Sequence, residues 1–446
     1  MNIKVLFICF IVTASLDPGL DVALSNGFIN QMRDYVLPIV NKQIDNIDIP
    51  DQSGKAGPVT YSLTQIHFHL NPVSSSQISI NLVDGKPEID MAVSGAGGNG
   101  HLVAHYKISF ISDHVDVDVN FRNIGVTAPI FMGVDGDGRP TVNVQAQAHM
   151  RSSDIDVHFS GSISAVVLQA LEPIIQSLFF NNIVDAINKG LPSWVSDPIN
   201  ALLKTLPLDQ QIKDSIYVTY ALPSAPTNFN GYITVGMAGY FYINGQKNPP
   251  PYSPPSIPKY DPGNQKAVQF FLSDYILQTA IDVGFKLGLY EGGFSFDLFE
   301  FEIDTNCSCS IAPTILFNQE ITVTASGGCD ISAKNTTSGE VMTFGFSSDF
   351  DLHINEDIKN DIVYFLIDDK DIGFKNMQWK NPLSFNITWF QDNIDTVLVD
   401  VADYANKYIG AQGIPLPKFP QVDFVDLEQG IFNNYIEIYS DLVFHG

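Results

Sequence analysis

The chain has 446 residues, 45% hydrophobic with 31 Phe, enough for two or three domains with sizeable cores. Its formal net charge is −26, divided as −9 over residues 16–247 and −18 over residues 248–446. With both halves acidic and no Lys/Arg cluster in view, nucleic acid, heparin and strongly anionic lipid surfaces are poor partners on electrostatic grounds.

The first fifteen residues, MNIKVLFICFIVTAS, place one Lys before an apolar run and then small residues. This is the pattern of a secretory signal peptide, with cleavage expected near Ala14 or Ser15. No later run is long and apolar enough to be read as a membrane span. Three sequons, at Asn306, Asn335 and Asn386, accord with secretion. Cys9 leaves with the signal, so Cys307, Cys309 and Cys329 remain, an odd count that predicts one disulfide and one leftover thiol. Cys307 and Cys309 share a strand face, so either can reach Cys329 on a neighbouring strand. No fourth ligand stands at zinc spacing, and no metal or cofactor is expected.

A helix is predicted over about residues 21–44. Its apolar stripe is Leu24, Phe28, Met32, Tyr35, Val36 and Ile39, with a bend at Pro38. Between Val59 and Phe159 the period changes to two, in seven alternating segments from YSLTQIHFHL to DIDVHFSG. Such a meander has one apolar face and must cover something. Residues 162–187 return to a helical pattern that is apolar nearly all round, with a second short helix expected at 193–203 and strands at 216–222 and 231–244.

Seven prolines between Pro249 and Pro262, in NPPPYSPPSIPKYDP, predict an extended, semi-rigid connector. FFLSDYILQTA follows, with Val268, Phe271, Leu272, Tyr275, Ile276 and Thr279 at helical spacing, so a helix is predicted over about 265–282. The second half then repeats the order of the first: strands to about residue 354, a helix at about 390–409, GIPLPKFP, and a last strand in IFNNYIEIYSDLVF.

The proline strap with its SDY-containing sequel resembles the linker and second-domain opening of one family: bactericidal/permeability-increasing protein, lipopolysaccharide-binding protein, and the phospholipid and cholesteryl-ester transfer proteins. Pro18-Gly19 before the first helix, Ile47-Asp48-Ile49-Pro50-Asp51 and Gly413-Ile414-Pro415-Leu416-Pro417 are also family-like. The resemblance implies an α+β fold of two domains joined end to end as a boomerang. Each domain is a highly twisted antiparallel β-barrel wrapped around a long α-helix, in a pseudo-two-fold repeat with a central sheet. Applied here, it gives a signal peptide at 1–15, an N-terminal lipid-binding barrel at 16–247, a proline-rich linker at 248–264 and a C-terminal lipid-binding barrel at 265–446.

It further implies apolar tunnels that accept the acyl chains of a phospholipid or other two-chain lipid, with transient contact to a membrane or bacterial envelope and no catalysis. The residues expected to line the first tunnel are Leu24, Phe28, Met32, Tyr35, Ile39, Leu168, Leu171, Ile175 and Leu178. Those expected for the second are Phe271, Tyr275, Ile276, Val397 and Val401. Two departures stand out. The best-known members carry a disulfide in the first half, where this chain has no mature cysteine. The lipopolysaccharide-binding members have a cationic first-domain tip, whereas Gly95–Tyr106 here has no Lys or Arg.

No catalytic constellation is legible. Gly95-Ala-Gly-Gly-Asn-Gly100 satisfies G-x-G-x-x-G, but a strand follows it, so it reads as a hairpin-tip loop. Asp135-Gly-Asp-Gly-Arg139 begins like a calcium loop but has Ala146 at the twelfth position, and reads as a turn. His67 and His69 alternate on one strand face, and two ligands do not make a zinc site. The leading expectation is a secreted lipid-binding or lipid-transfer protein. The alternatives are an innate-defence protein that binds bacterial lipopolysaccharide or envelope lipid, and a secreted structural or adhesion protein with filled barrels.

Overall fold

The computed structural model describes residues 17–44, 47–161, 163–298, 300–380, 406 and 413–445. The expected signal peptide, the sequon at Asn386, Val397 and Val401, and all but Asn406 of the helix expected at about 390–409 lie outside the described residues. In the first half the order is β1 (Leu20–Leu24), α1 (Asn26–Gln43), β2 (Ile47–Ile49), β3 (Gln52–Ala56), β4 (Val59–Leu70), β5 (Ile78–Leu82), β6 (Glu88–Ile108), β7 (Ile111–Val134), β8 (Pro140–Val144), β9 (Gln147–His149) and β10 (Ile155–Phe159). Then come α2 (Ala165–Lys204), β11 (Asp209–Lys213), β12 (Ile216–Thr219), β13 (Thr227–Phe229), β14 (Tyr232–Met237) and β15 (Tyr240–Ile243). Beyond the proline strap follow β16 (Val268–Ser273), α3 (Asp274–Lys286), β17 (Glu291–Leu298), β18 (Phe301–Cys309), β19 (Thr314–Phe317), β20 (Ile321–Asn335), β21 (Val341–Lys359), β22 (Ile362–Lys380), β23 (Ile414–Pro415), β24 (Val422–Phe432) and β25 (Tyr435–Phe444).

The architecture is α+β, with two curled antiparallel sheets and a long helix. The nine-stranded sheet of the first half runs β10-β7-β6-β4-β2 with side pairings, and the seven-stranded sheet of the second runs β17-β18-β20-β21-β22-β23. A six-stranded central sheet, β13-β14-β1-β16-β25-β24, takes strands from both halves. β1 is its seam: Val22 pairs with Val235 on one side and Phe270 on the other.

α2 explains why the first sheet curls. Val167, Leu171, Ile175, Phe179, Ile183, Ile187, Leu191 and Val195 are buried at every fourth position, with Leu202 buried near the end of the helix. At about 100° per residue, each step carries the buried face roughly 40° further round the helix. A stripe that turns this way can be covered only by a sheet that twists along it. Ser164 caps the start, its side chain accepting from the Val167 amide. At 40 residues α2 is one helix where two were expected, and it runs through Pro173, Pro192 and Pro198, none of which lies on the buried stripe. Among the described residues no helix is long and apolar enough to cross a membrane.

Several expected boundaries move. Residues 20–24 form a strand, and α1 starts only at Asn26 after the Ser25 cap. EIDMAVSG and HLVAHYKISF, two of the seven alternating segments, belong to one strand, β6. Residues 268–273, expected to be helical, are the fully buried central strand β16. Val268, Phe270 and Leu272 face the main core. Phe271 faces the other way, under Ile257 and Tyr260 of the proline strap. With both faces covered, the strand loses the alternation that distinguishes it from a buried helix. Gln269, itself buried, holds the strap's backbone: its side-chain oxygen accepts from Asp261 N at 2.7 Å, and its amide donates to Asp261 O and Asn264 O.

Candidate functional site

The apolar interior encloses a cavity of about 300 Å3 between α1, the second half of α2, the first sheet and the central sheet. α1 presents Phe28, Ile29, Met32, Val36, Leu37 and Val40, a face that follows from the three-and-four spacing of its apolar residues. α2 adds Ile187, Leu191, Val195 and Ile199. The inward positions of the curled sheet, such as Ile80, Met91, Val126 and Ile130, form the opposite wall. Val22, Val235 and Phe270 close it from the central sheet. Phe419, Val422, Phe424 and Leu442 reach in from the C-terminal segment, so distant parts of the chain build one site.

Arg33, Asn71, Thr141 and Lys418 bring the charged, amide or hydroxyl groups on this lining, together with the Trp194 indole. Both cations are already matched. Arg33 Nε lies 2.8 Å from Asp34 Oδ1. Lys418 Nζ donates to Asp361 and, at 3.2 Å, to Asp423. Burial works to lower the Lys418 pKa, but its hydrogen bonds to those two carboxylates outweigh it and hold the ammonium above its ordinary value. Among the described residues no carboxylate, thiol, imidazole or serine hydroxyl lines the cavity. Such a surface offers apolar contact and desolvation and has no nucleophile–base pair to offer a substrate.

Of the residues expected in the first tunnel, Leu24, Phe28 and Met32 line this cavity. Tyr35 packs beside it, its ring centroid 5.6 Å from that of Phe444. Ile39 is half-buried and off the lining. Leu168, Leu171, Ile175 and Leu178 sit in the first half of α2, where the sheet closes onto the helix, away from the cavity. Of the residues expected in the second tunnel, Phe271 lies under the strap and Tyr275 joins an aromatic cluster with Tyr240, Tyr242 and Tyr252. Ile276 is in the main core, and none of the three lines the cavity. Ile29, Leu37 and Val40 on α1, the strand residues and the 417–424 segment line the cavity without having been expected there. The strand alternation carried the signal for Ile80, Met91 and Val126. Nothing local marks Phe419 or Leu442.

The G-x-G-x-x-G run is a bulge inside β6, with register shifts between Val93 and Gly98, and not a hairpin tip. A Cβ on Gly100 would stand 2.2 Å from Phe179 Cε1, so this glycine lets the α2 ring lie directly on the strand. Asp135 forms a turn, its side chain accepting from the amides of Asp137 and Arg139. Among the described residues no group of three or more His, Cys, Asp or Glu is placed to hold a metal ion. Cys307 faces Cys329 directly across β18 and β20 and is bonded to it. Cys309 stands opposite Gly327 and is the free thiol, its pKa raised by burial. Asn306 lies exposed on β18, and the Asn335 side chain accepts from the amides of Thr337 and Ser338.

No family model matches the chain. Mouse lipopolysaccharide-binding protein is 22% identical over 299 residues, covering 66% of this chain and 61% of that protein. Bactericidal permeability-increasing protein of Sebastes schlegelii is 26% identical over 257 residues, covering 54% and 51%. Mouse phospholipid transfer protein is 19% identical over 298 residues, covering 64% and 56%. The chain thus spans about half to three fifths of the length of these curated relatives. Among solved structures, that of lipopolysaccharide binding protein matches 97% of this chain and 100% of its own, with a TM-score of 0.57 at 17% identity, and so shares the fold.

Proposed function

The chain belongs to the family of lipopolysaccharide-binding, bactericidal permeability-increasing and phospholipid transfer proteins, a family of non-catalytic lipid-binding proteins, and from that premise we propose that its cavity holds lipid acyl chains. In this reading it is a secreted carrier or transfer protein for phospholipid or another two-chain lipid. Residues 16–247 and 265–446 act as two lipid-binding halves joined by the strap at 248–264.

The observation that carries the reading is the cavity of about 300 Å3 with an almost wholly apolar lining whose two cations are already paired. Its volume falls in the size class of sites that enclose small organic ligands. The physical task fits that lining. A two-chain lipid taken into water exposes roughly thirty methylenes, at ~0.8 kcal/mol each a barrier of about 24 kcal/mol. An apolar wall removes most of that barrier while leaving bilayer and protein near balance, so transfer needs no chemistry.

The experiment is native mass spectrometry of the full chain, followed by lipid extraction. Co-purifying phospholipid supports the reading, and its head group names the cargo. A bare mass, with no uptake of fluorescent phospholipid from vesicles, would rule out the carrier role.

A further inference from the structure

An acyl lipid carries a polar head that an apolar wall cannot satisfy, so the few polar groups on the cavity lining decide which head it accepts. Asn71, Thr141 and Trp194 are uncharged. Lys418 is charged, but it is already shared between Asp361 and Asp423, and Asp423 also meets His445 Nε2 at 2.7 Å. Two carboxylates around one ammonium leave no positive charge to offer a ligand.

Arg33 differs. It stands on α1 one turn after Ile29 and one turn before Leu37, and all three line the cavity. Its side chain is 20% exposed, so the guanidinium sits at the edge of the apolar wall and not out in solvent. Its contact with Asp34 uses Nε, and among the described residues neither Nη donates to another protein group. A guanidinium has five N–H donors, so four stay available beside the cavity. Asp34 is 57% exposed, and an ion pair that open to water contributes little, so it holds Arg33 without consuming it. The planar fork of the two Nη groups matches two oxygens of a phosphate or a carboxylate.

We propose that Arg33 is the head-group anchor of this cavity, selecting acyl lipids whose head exposes a phosphate or carboxylate over neutral lipids with the same chains. The inference rests on the reading of the cavity as an acyl-chain site. It concerns one head group held at the lining and not attraction to an anionic surface, which the net charge of −26 opposes.

The test titrates the full chain against neutral phosphatidylcholine vesicles that carry a trace of fluorescent lipid. One pair of probes is phosphatidic acid and the diacylglycerol with the same chains. A second pair, a fatty acid and its methyl ester, separates phosphate from carboxylate. The wild-type chain should take up the anionic member of at least one pair roughly ten- to a hundredfold more tightly, as hydrogen bonds to a charged group predict. Arg33→Gln should bring that ratio close to one. Arg33→Lys keeps the charge and loses the fork, so it should recover part of the ratio. Asp34→Asn removes the competing carboxylate and should raise it. Each ratio compares two ligands on one protein, so a partly unfolded variant lowers both members together and leaves the ratio readable.

Equal uptake of both members by the wild-type chain, or a ratio that survives Arg33→Gln, would overturn the anchor and leave the acyl-chain reading standing. Uptake of no member would overturn both. Inorganic phosphate that binds as tightly as phosphatidic acid would mark a simple anion site with no need of a chain, and would overturn the anchor as well.

Discussion

Val126 on β7 points into the cavity from the wall opposite α1. Val126→Trp adds about seven heavy atoms there. If they displace about six ligand methylenes, the loss is ~5 kcal/mol, more than a thousandfold in lipid affinity. The cavity of about 300 Å3 has room for the indole, so the fold should change by less than about 1 kcal/mol. Leu171→Trp is the control. Leu171 is fully buried where α2 meets the sheet and does not line the cavity, so the same ring there must force neighbours apart, at a cost of about 1–3 kcal/mol or more. Thermal melts and native mass spectrometry of both variants separate the two effects. The reasoning fails if Val126→Trp destabilises as much as Leu171→Trp, because then no open space exists. It fails equally if Val126→Trp keeps its full lipid load.

Three further outcomes are expected. Asp21, buried in the central sheet, has its pKa raised to about 7, chiefly by burial, with Lys259 lowering it and Asp17 raising it. The folded chain then holds a proton that the unfolded chain releases near pH 4, so stability should fall between about pH 4 and 7 and stay lower above it, by on the order of 4 kcal/mol; urea titrations of Asp21→Asn should lack that slope. Cys307→Ser opens a link between residues 22 apart and should cost about 3 kcal/mol by the chain-entropy argument, whereas Cys309→Ser should leave the melting temperature nearly unchanged. Gly100→Ala puts a methyl against Phe179 and should lose about 1–3 kcal/mol in chemical denaturation, with relief on the further change Phe179→Leu.

The long strands β4, β6 and β7 were legible because each has one wet and one dry face, and alternation records that difference directly. β16 was not, because the strap covers its outer face and the core its inner one, which leaves VQFFLS apolar throughout. α2 was legible as a helix but not as one helix, since Pro192 looks like a terminator and is tolerated on its less buried side. The glycine run was placed at a hairpin tip because glycine marks turns and bulges alike; contact with Phe179 decided for the bulge.

By itself, the sequence determined the alternating meander of the first half, the proline strap and the greasy faces of α1 and α2, because backbone propensity and side-chain period are local properties. Only the tertiary structure decided that Cys329 takes Cys307, since pairing follows cross-strand register and a shift of two residues would select Cys309. It decided, too, that α1 meets the cavity through Ile29, Leu37 and Val40 as well as Phe28 and Met32, and that Phe419 and Leu442 help to close it. A periodic stripe reports that a face is buried, not what buries it, and a cavity is the space that packing leaves between elements far apart in the chain.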